Sequence, residues 1–353
     1  MLTILIPAHN EGSKDKGSPQ IVETLESLAN QTVKPDAVVV IADSCTDDTA
    51  DLATQRGAQV FTTTNNRDKK AGALNQWLDR YLPEAARDDL IMVMDADSSL
   101  DPEFLRYALG YVARGYHAVG GVFLGKEGGG IVGTFQRNEY ARYARDVARK
   151  RGKTLVLTGT ATVFTAECLR EVVAGRSSGR IPGTGEIPHV YDTKALTEDN
   201  ELTFALLHLG YKIIAPVECG LTTEVMETWR DLWRQRYRWK RGAIENNWHY
   251  GVTRYTAKYW GLQVWGLIGI FATALYLATL VYATVTGNLH LHLVWIVVTV
   301  VYVVERAITV RRRGPLQTTL AALLVVEMSY DICLQACHAH ALATSVLRTR
   351  KSW

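Results

Sequence analysis

The chain has 353 residues, 21% of them charged, and a formal net charge of only +3. That length allows one large domain or two ordinary ones, and that charge balance excludes a uniformly basic nucleic-acid binder. Five scattered cysteines, Cys45, Cys168, Cys219, Cys333 and Cys337, exclude a framework of paired disulfides and fit a reducing compartment.

Leu2–Ile6 is apolar, has no basic start, and reads as a first strand closed by Pro7, not as a secretory signal. The N-terminal part is therefore expected in the cytoplasm. Residues 7–19 read as a polar loop. Ile21, Val22, Leu25 and Leu28 fall at helical spacing between Pro19 and Asn30. Ala37–Ala42 is a second buried strand ending at Asp43, followed by a helix that Thr46 or Asp47 can cap, running through Arg56. Ala58–Thr62 is a third strand. Lys70–Tyr81 is a helix with Leu74, Trp77, Leu78 and Tyr81 on one face, and Leu90–Met94 is a fourth strand.

Strands alternating with helices over the first hundred residues predict an α/β fold with a doubly wound, mostly parallel sheet. Right-handed crossovers put the strand ends on one edge. His9, Asn10, Glu11, Asp43, Asp95 and Asp97 would gather there. Asp95 and Asp97 flank Ala96 at the end of the fourth strand, where α/β folds bind ligands. Their hard oxygens suit Mg²⁺ or Mn²⁺ carrying a diphosphate.

Asp101, Pro102 and Glu103 open a further helix, and Ala118–Leu124 is a strand. Residues 125–130 hold four glycines and Lys126 but lack a P-loop ending, so they read as a flexible turn. A helix is expected over 131–150, then strand-like residues from Leu155 to Thr165, interrupted at Gly159. Residues 175–196 carry four glycines and two prolines and read as a mobile loop, a candidate lid. Thr197, Glu198 and Asp199 begin a helix through Leu209.

Residues 227–248 combine Trp229, Trp233, Tyr237, Ile244 and Trp248 with six basic residues, a pattern suited to a membrane–water boundary. Nucleic-acid binding is the weaker reading, because apolar spans follow. Residues 261–286 carry no charge and can cross a bilayer. Residues 289–306 are a second apolar run, and Arg311–Arg313 places both ends of the hairpin in the cytoplasm. The third apolar segment, 316–346, spans or lies in the interface. Spanning would put Arg348, Arg350 and Lys351 outside, which favours the interface. Cys333, Cys337, His338 and His340 lie in apolar surroundings without a zinc spacing. The expected domains are 1–226, catalytic and cytoplasmic; 227–258, interfacial; and 259–353, in the membrane.

Together, several motifs form a set: Ile6 to Glu11, Asp43, Lys70 to Asn75, Asp95 to Asp97, Thr197 to Asp199, and Gln235 to Trp239. In order and spacing the chain resembles the processive-type, inverting family 2 glycosyltransferases that make cellulose, chitin, hyaluronan and poly-N-acetylglucosamine. The resemblance covers residues 1 to about 250. It implies the nucleotide-sugar-binding fold of the glycosyltransferase A type and a UDP-sugar donor. Pro7, His9, Glu11, Asp43, Lys70, Asp95, Gln235 and Arg238 would then bind the donor. Asp97 with Asp95 would hold Mg²⁺ or Mn²⁺. Gly159, Thr160 and Trp239 would face the acceptor. A sugar hydroxyl needs a base at the moment of attack, and Asp199, beside Glu198, is that base. One base and one leaving-group site imply single displacement with inversion.

The larger synthases carry spans before the catalytic domain, whereas residues 1 to about 250 here hold none. A lone hairpin cannot enclose a polysaccharide pore. Either copies assemble into a homo-oligomer, or the product is short, or the acceptor is lipid-linked or protein at the membrane face. A polyprenyl-phosphate sugar transferase is the close alternative, and a non-catalytic nucleotide-sugar sensor a distant one. The expected location is the cytoplasmic membrane, multi-pass, with membrane lipids as partners and no nucleic acid.

Overall fold

A computed structural model describes residues 1–12, 19–183, 187–288, 290, 293–347 and 349. Arg348, Arg350 and Lys351, used above to orient the last segment, lie outside them, as do Leu289 and part of the loops at 7–19 and 175–196. The chain divides into two compact units, residues 1–126 with 146–224, and residues 127–145 with 225–353.

The first unit opens β1 (Leu2–Ala8), α1 (Gln20–Ala29), β2 (Ala37–Ala42), α2 (Thr49–Gln55), β3 (Gln59–Thr62), α3 (Lys69–Tyr81) and β4 (Leu90–Met94). It continues β5 (Ser99–Leu100), α4 (Phe104–Ala113), β6 (Ala118–Gly120) and β7 (Val122–Gly125). Helix α5 (Gly130–Arg149) starts in the second unit, and its last turn belongs to the first. Then come β8 (Ala161–Thr165), α6 (Ala166–Ser177), α7 (Glu198–His208), β9 (Ile213–Ile214) and β10 (Gly220–Thr223). The main sheet has the order β3-β2-β1-β4-β8-β6-β9, and β5, β10 and β7 form a second sheet of three strands.

β1, β2 and β4 are continuous apolar runs because helices cover both faces of the sheet. Ile4, Leu5, Ile6, Val40, Ile41, Ile91 and Met92 are wholly buried. β1, β2, β3 and β4 are mutually parallel as expected, with Leu5 opposite Val39 on one side and Val93 on the other. β8 departs from the parallel set and runs antiparallel to both β4 and β6.

Several boundaries differ from the sequence reading. Pro7 lies inside β1 and does not close it; it falls just past the last β1–β4 pair, where a missing N–H is tolerated. The single strand expected at 118–124 is two strands in two sheets. The switch is at Gly121, where a Cβ would stand 2.2 Å from Leu221 and 2.9 Å from Phe104. Residues 155–160 are not strand. Only Ala161–Thr165 joins the ladder, and the Gly159 N–H bonds a side chain of α7 instead. The expected lid also shrinks: residues up to Ser177 belong to α6, and Val190 and Tyr191 are buried.

The second unit holds most of α5 and then α8 (Trp229–Tyr250), α9 (Ala257–Val285), α10 (Leu293–Val310), α11 (Pro315–Ala322) and α12 (Leu324–Val346). Val132 and Phe135 of α5, Leu232 of α8 and Tyr330 of α12 form its apolar core. Charges lie beside that core. Arg236 donates to Glu139 at 2.8 Å, and the Tyr330 hydroxyl donates to the same carboxylate at 2.6 Å. Glu327, with no exposure, pairs with Arg142 at 2.9 Å and Arg306 at 3.5 Å. On α8, Trp229 and Trp248 are exposed and Ile244 is buried, whereas Arg236 and Arg241 are buried because carboxylates meet them.

Among the described residues α9 is the one helix long and apolar enough to cross a bilayer, with 29 residues and a mean hydropathy of 2.0. Its side chains are largely exposed, Trp265 and Phe271 by 70% and 75%. The second expected span corresponds to α10, whose last turns carry Glu305 and Arg306. Helix α11 and residues 325–346 of α12 reach that length and apolarity only as a pair bent by 75°.

In the first unit Arg176 of α6 donates twice to Glu201 of α7, at 3.0 and 2.6 Å, with both side chains almost fully buried. Removing one partner strands the other charge. Glu201→Ala is expected to cost about 3–5 kcal/mol. Denaturant titration of the full chain in detergent checks this; a loss below about 1 kcal/mol would contradict it.

Candidate active site

The C-terminal ends of β1, β2 and β4 open on one edge of the main sheet, and antiparallel β8 enters at the same edge. Residues that were far apart in sequence meet here. Asn10 and Ser44 take left-handed backbone angles, φ 60° and 54°, in the turns that leave β1 and β2. Asn10 accepts from the Thr46 N–H at 2.7 Å, and the His9 ring meets the Asp43 carbonyl at 2.6 Å, tying the two turns together. The Asp43 carboxylate accepts from Thr63 at 2.6 Å and from Asn66 at 2.9 Å, so its orientation is fixed.

Lys70, in the first turn of α3, is the hub. Its ammonium stands 2.5 Å from Asp95 and 3.4 Å from Glu198, and donates to the Gly159 carbonyl at 3.4 Å. Asp199 accepts from the Gly159 N–H at 3.0 Å and from the Asn200 N–H at 2.7 Å. The Asp95 N–H bonds the Thr160 carbonyl at 3.1 Å, which locks the 158–160 segment to the end of β4. A pocket of the first unit is lined by Lys70, Thr158, Gly159, Tyr191, Glu198 and Asp199, with Val93 and Leu157 behind. Asp97 accepts from Ser98 at 3.2 Å and Thr223 at 3.3 Å.

The carboxylates here are raised chiefly by burial. Burial first, then Asp97, Asp47 and Asp95, push Glu11 up to about 7. Burial lifts Asp95 to about 6 against the pull of Lys70. Burial and then the Glu198 charge lift Asp199 to about 6. Asp97 is raised too, chiefly by burial, with Ser98 and Lys126 opposing. Burial works against the Lys70 ammonium, but Asp95 and Glu198 outweigh it and hold its pKa above the lysine range.

Among the described residues no three His, Cys, Asp or Glu side chains converge enough to hold a metal alone. Asp95 and Asp97 supply two hard-oxygen donors, one residue apart, just past the end of β4. That donor set fits Mg²⁺ or Mn²⁺, which keep remaining positions for phosphate and water. In the cysteine–histidine group Cys337 bonds the Trp233 carbonyl at 3.6 Å and His338 bonds Gln263 at 3.1 Å.

The first unit thus brings together Pro7, His9, Glu11, Asp43, Lys70, Asp95, Asp97, Gly159, Thr160, Glu198 and Asp199 along one edge and its turns. Gln235, Arg238 and Trp239 lie on α8 in the second unit. There Gln235 accepts from Arg236 at 2.5 Å, and the Arg236 guanidinium sits 4.4 Å over the Trp239 ring. Two residues had not been singled out. Lys126, read as part of a flexible turn, pairs with Glu23 at 2.9 Å and acts on Asp97. Tyr191 lines the pocket. A lone lysine in a glycine run and a tyrosine in a loop carry no periodic signal.

The sequence matches the profile of Glycosyltransferase like family 2 over residues 2–242, and the chain belongs to that family. It is 29% identical over 284 residues to "Probable glycosyltransferase YdaM" of Bacillus subtilis, covering 74% of this chain and 58% of that protein. It is 25% identical over 252 residues to the poly-beta-1,6-N-acetyl-D-glucosamine synthase of Staphylococcus aureus, covering 69% of this chain and 55% of the synthase. The chain thus spans little more than half the length of the curated relatives it matches. In fold it is similar to the mannosyltransferase PcManGT of Pyrobaculum calidifontis, solved with GDP-Man and Mn²⁺. The TM-score is 0.63 at 18% identity, over 99% of this chain and 88% of that one.

A carboxylate raised in the folded state binds its proton more tightly there than in the unfolded chain. It stabilises the fold below its unfolded pKa and loses that contribution as pH rises through its folded pKa. For Glu11 the window runs from the ordinary glutamate range to about 7. In EDTA, Glu11→Gln is therefore expected to melt later than wild type at pH 8, by about 2–4 °C, the equivalent of about 1 kcal/mol. The gap should narrow as pH falls and close only below the ordinary glutamate range, at about pH 4. Equal melting at both pH values would contradict the raised Glu11 pKa.

Proposed function

We propose that this chain is a membrane-bound, metal-dependent, inverting glycosyltransferase that moves a sugar from a UDP-sugar to a saccharide acceptor and builds a β-linked product. The observation that carries the reading is the convergence of Asp95, Glu198 and Asp199 on Lys70, 2.5 Å from Asp95 and 3.4 Å from Glu198. It joins the strand end that would receive a diphosphate to the helix start that would receive an acceptor.

In this reading Asp43, held by Thr63 and Asn66, receives the base, and Pro7, His9 and Glu11 line the same turn. Lys70 faces the phosphates and keeps Asp95 oriented. Mg²⁺ or Mn²⁺ bound at Asp97 and Asp95 would neutralise the departing diphosphate. Asp199 takes the proton of the acceptor hydroxyl as that oxygen attacks the anomeric carbon. The bond to UDP breaks, its electron pair leaves with the diphosphate, and the configuration inverts. The Gly159 and Asn200 N–H groups hold both oxygens of Asp199 in place, and a pKa of about 6 leaves it ionised yet still basic near neutrality. Gly159 and Thr160 border the acceptor. Arg238 and Gln235 would close on the diphosphate, for which a guanidinium is suited. Trp239 would offer an acceptor sugar the ring face not covered by Arg236.

Helix α9 supports a membrane location, with the catalytic unit on the cytoplasmic side and α10 and α12 as further membrane segments. It also favours a second reading of the acceptor, a lipid-linked or polyprenyl-phosphate one. Assembly of several copies into a homo-oligomer is part of the same reading.

UDP release and sugar transfer, measured with a panel of UDP-sugars and Mn²⁺, test the reading. Asp199→Asn is expected to lower transfer by about 10²–10⁴ and to keep UDP affinity within severalfold. Transfer comparable to wild type in that variant would remove the base. The rate should fall below pH about 6, as the carboxylates around Lys70 take up protons. Asp97→Ala should lose the metal-dependent part of UDP binding in calorimetry; equal affinity with and without metal in both proteins would contradict the metal role.

A further inference from the structure

Tyr191 is held in place by more buried polar contacts than a loop residue needs. The buried Asn75 side chain donates to the Tyr191 carbonyl at 2.9 Å and accepts from the Tyr191 N–H at 3.0 Å, across 116 residues of sequence. One residue earlier, the Val190 carbonyl accepts from Arg176 at 3.1 Å, and Arg176 is itself fixed by Glu201. Asn75 lies on α3, the helix that carries Lys70, and Glu201 lies on α7, the helix that carries Asp199. The two helices bearing the charged centre therefore grip residues 190–191 from both sides, Asn75 directly and Glu201 through Arg176.

Tyr191 is 5% exposed, and it lines the pocket that Lys70, Gly159, Glu198 and Asp199 also line. The charges of Lys70, Glu198 and Asp199 reach its phenol. A plain apolar filler at this point would need no phenol and no backbone clamp. A rigid aromatic wall with one hydrogen-bonding group is, in contrast, what a site uses to fix a polyhydroxylated ligand.

We propose that Tyr191 positions the saccharide acceptor, holding a sugar hydroxyl, in preference to water, where Asp199 can take its proton. This rests on the glycosyltransferase reading above. Asn75, Arg176 and Glu201 are positioning residues that act through Tyr191. The phenol hydrogen-bonds the acceptor sugar, and its ring excludes solvent from the side of the base. Water, with no second hydroxyl to anchor, gains nothing from the phenol. Tyr191 therefore governs how donor turnover divides between transfer and hydrolysis.

The test is the ratio of UDP-sugar hydrolysis to sugar transfer, measured on the full chain in detergent with Mn²⁺ and a saccharide acceptor. In Tyr191→Phe the ratio and the acceptor KM should each rise about tenfold, the effect of one lost hydrogen bond, while the donor KM moves less than about twofold. Asn75→Ala, which frees the Tyr191 backbone, should raise the same ratio and carries the test if the first variant does not fold. A ratio within about twofold of wild type, with or without a lower melting temperature, overturns the inference and makes Tyr191 a packing residue. Wild-type protein that releases no UDP from any UDP-sugar overturns the underlying activity instead.

Discussion

One ammonium group organises the first unit. Lys70 stands between the acidic end of β4 and the acidic start of α7, and it also bonds the backbone of the segment that leads into β8. Without that cation, Asp95, Glu198 and Asp199 would repel one another in a half-buried recess. Lys70 and Asp95 are 29% and 32% exposed, so solvent trims their pairing to the order of 1 kcal/mol. The value of the contact is thus geometric. It sets the spacing of three carboxylates. In the proposed reading, that arrangement would place a divalent cation with a diphosphate on one side and a separate base on the other.

The second unit solves a related problem differently. Its helices carry Glu139, Arg142, Arg236, Arg306 and Glu327, yet Glu327 and Arg236 are buried. Each is matched by an opposite charge within hydrogen-bond reach. Such pairs add little net stability, but breaking one is costly, so they fix which helix faces which. Helix α9 lacks these charges and shows its apolar side chains outward. Polar specificity and lipid-suited surface thus occur in one unit on different helices.

What was legible in the sequence follows from how local each signal is. β1, β2 and β4 could be read because a strand buried on both faces must be apolar throughout, and Asp95 and Asp97 could be placed because they follow such a run. The break at Gly121 could not, since the demand for glycine comes from Leu221 and Phe104, far away in sequence. Nor could the reversal of β8, because direction depends on which strands it joins, and β4 and β6 are not its sequence neighbours. Helix α6 and the short β9 and β10 lacked a strong period. At the candidate site, Lys70, Asp95, Asp97 and Asp199 were singled out through motif order. Asn75 belonged to a quoted motif, but its bond to Tyr191 spans 116 residues and leaves no local trace. The burial of Arg236 and Arg241 was not legible, because a sequence does not reveal which carboxylate will meet a buried guanidinium.

The central claim is that a cation and a base flank one donor-binding cleft built around Lys70. Anomalous diffraction from crystals of the full chain grown with UDP and Mn²⁺ tests it most directly. The account predicts one manganese peak bonded to Asp97 and to the diphosphate, with Lys70 beside it and Asp199 across the space where the sugar would sit. Manganese and UDP bound away from Asp97, or a diphosphate on the far side of the sheet from Asp199, would contradict it.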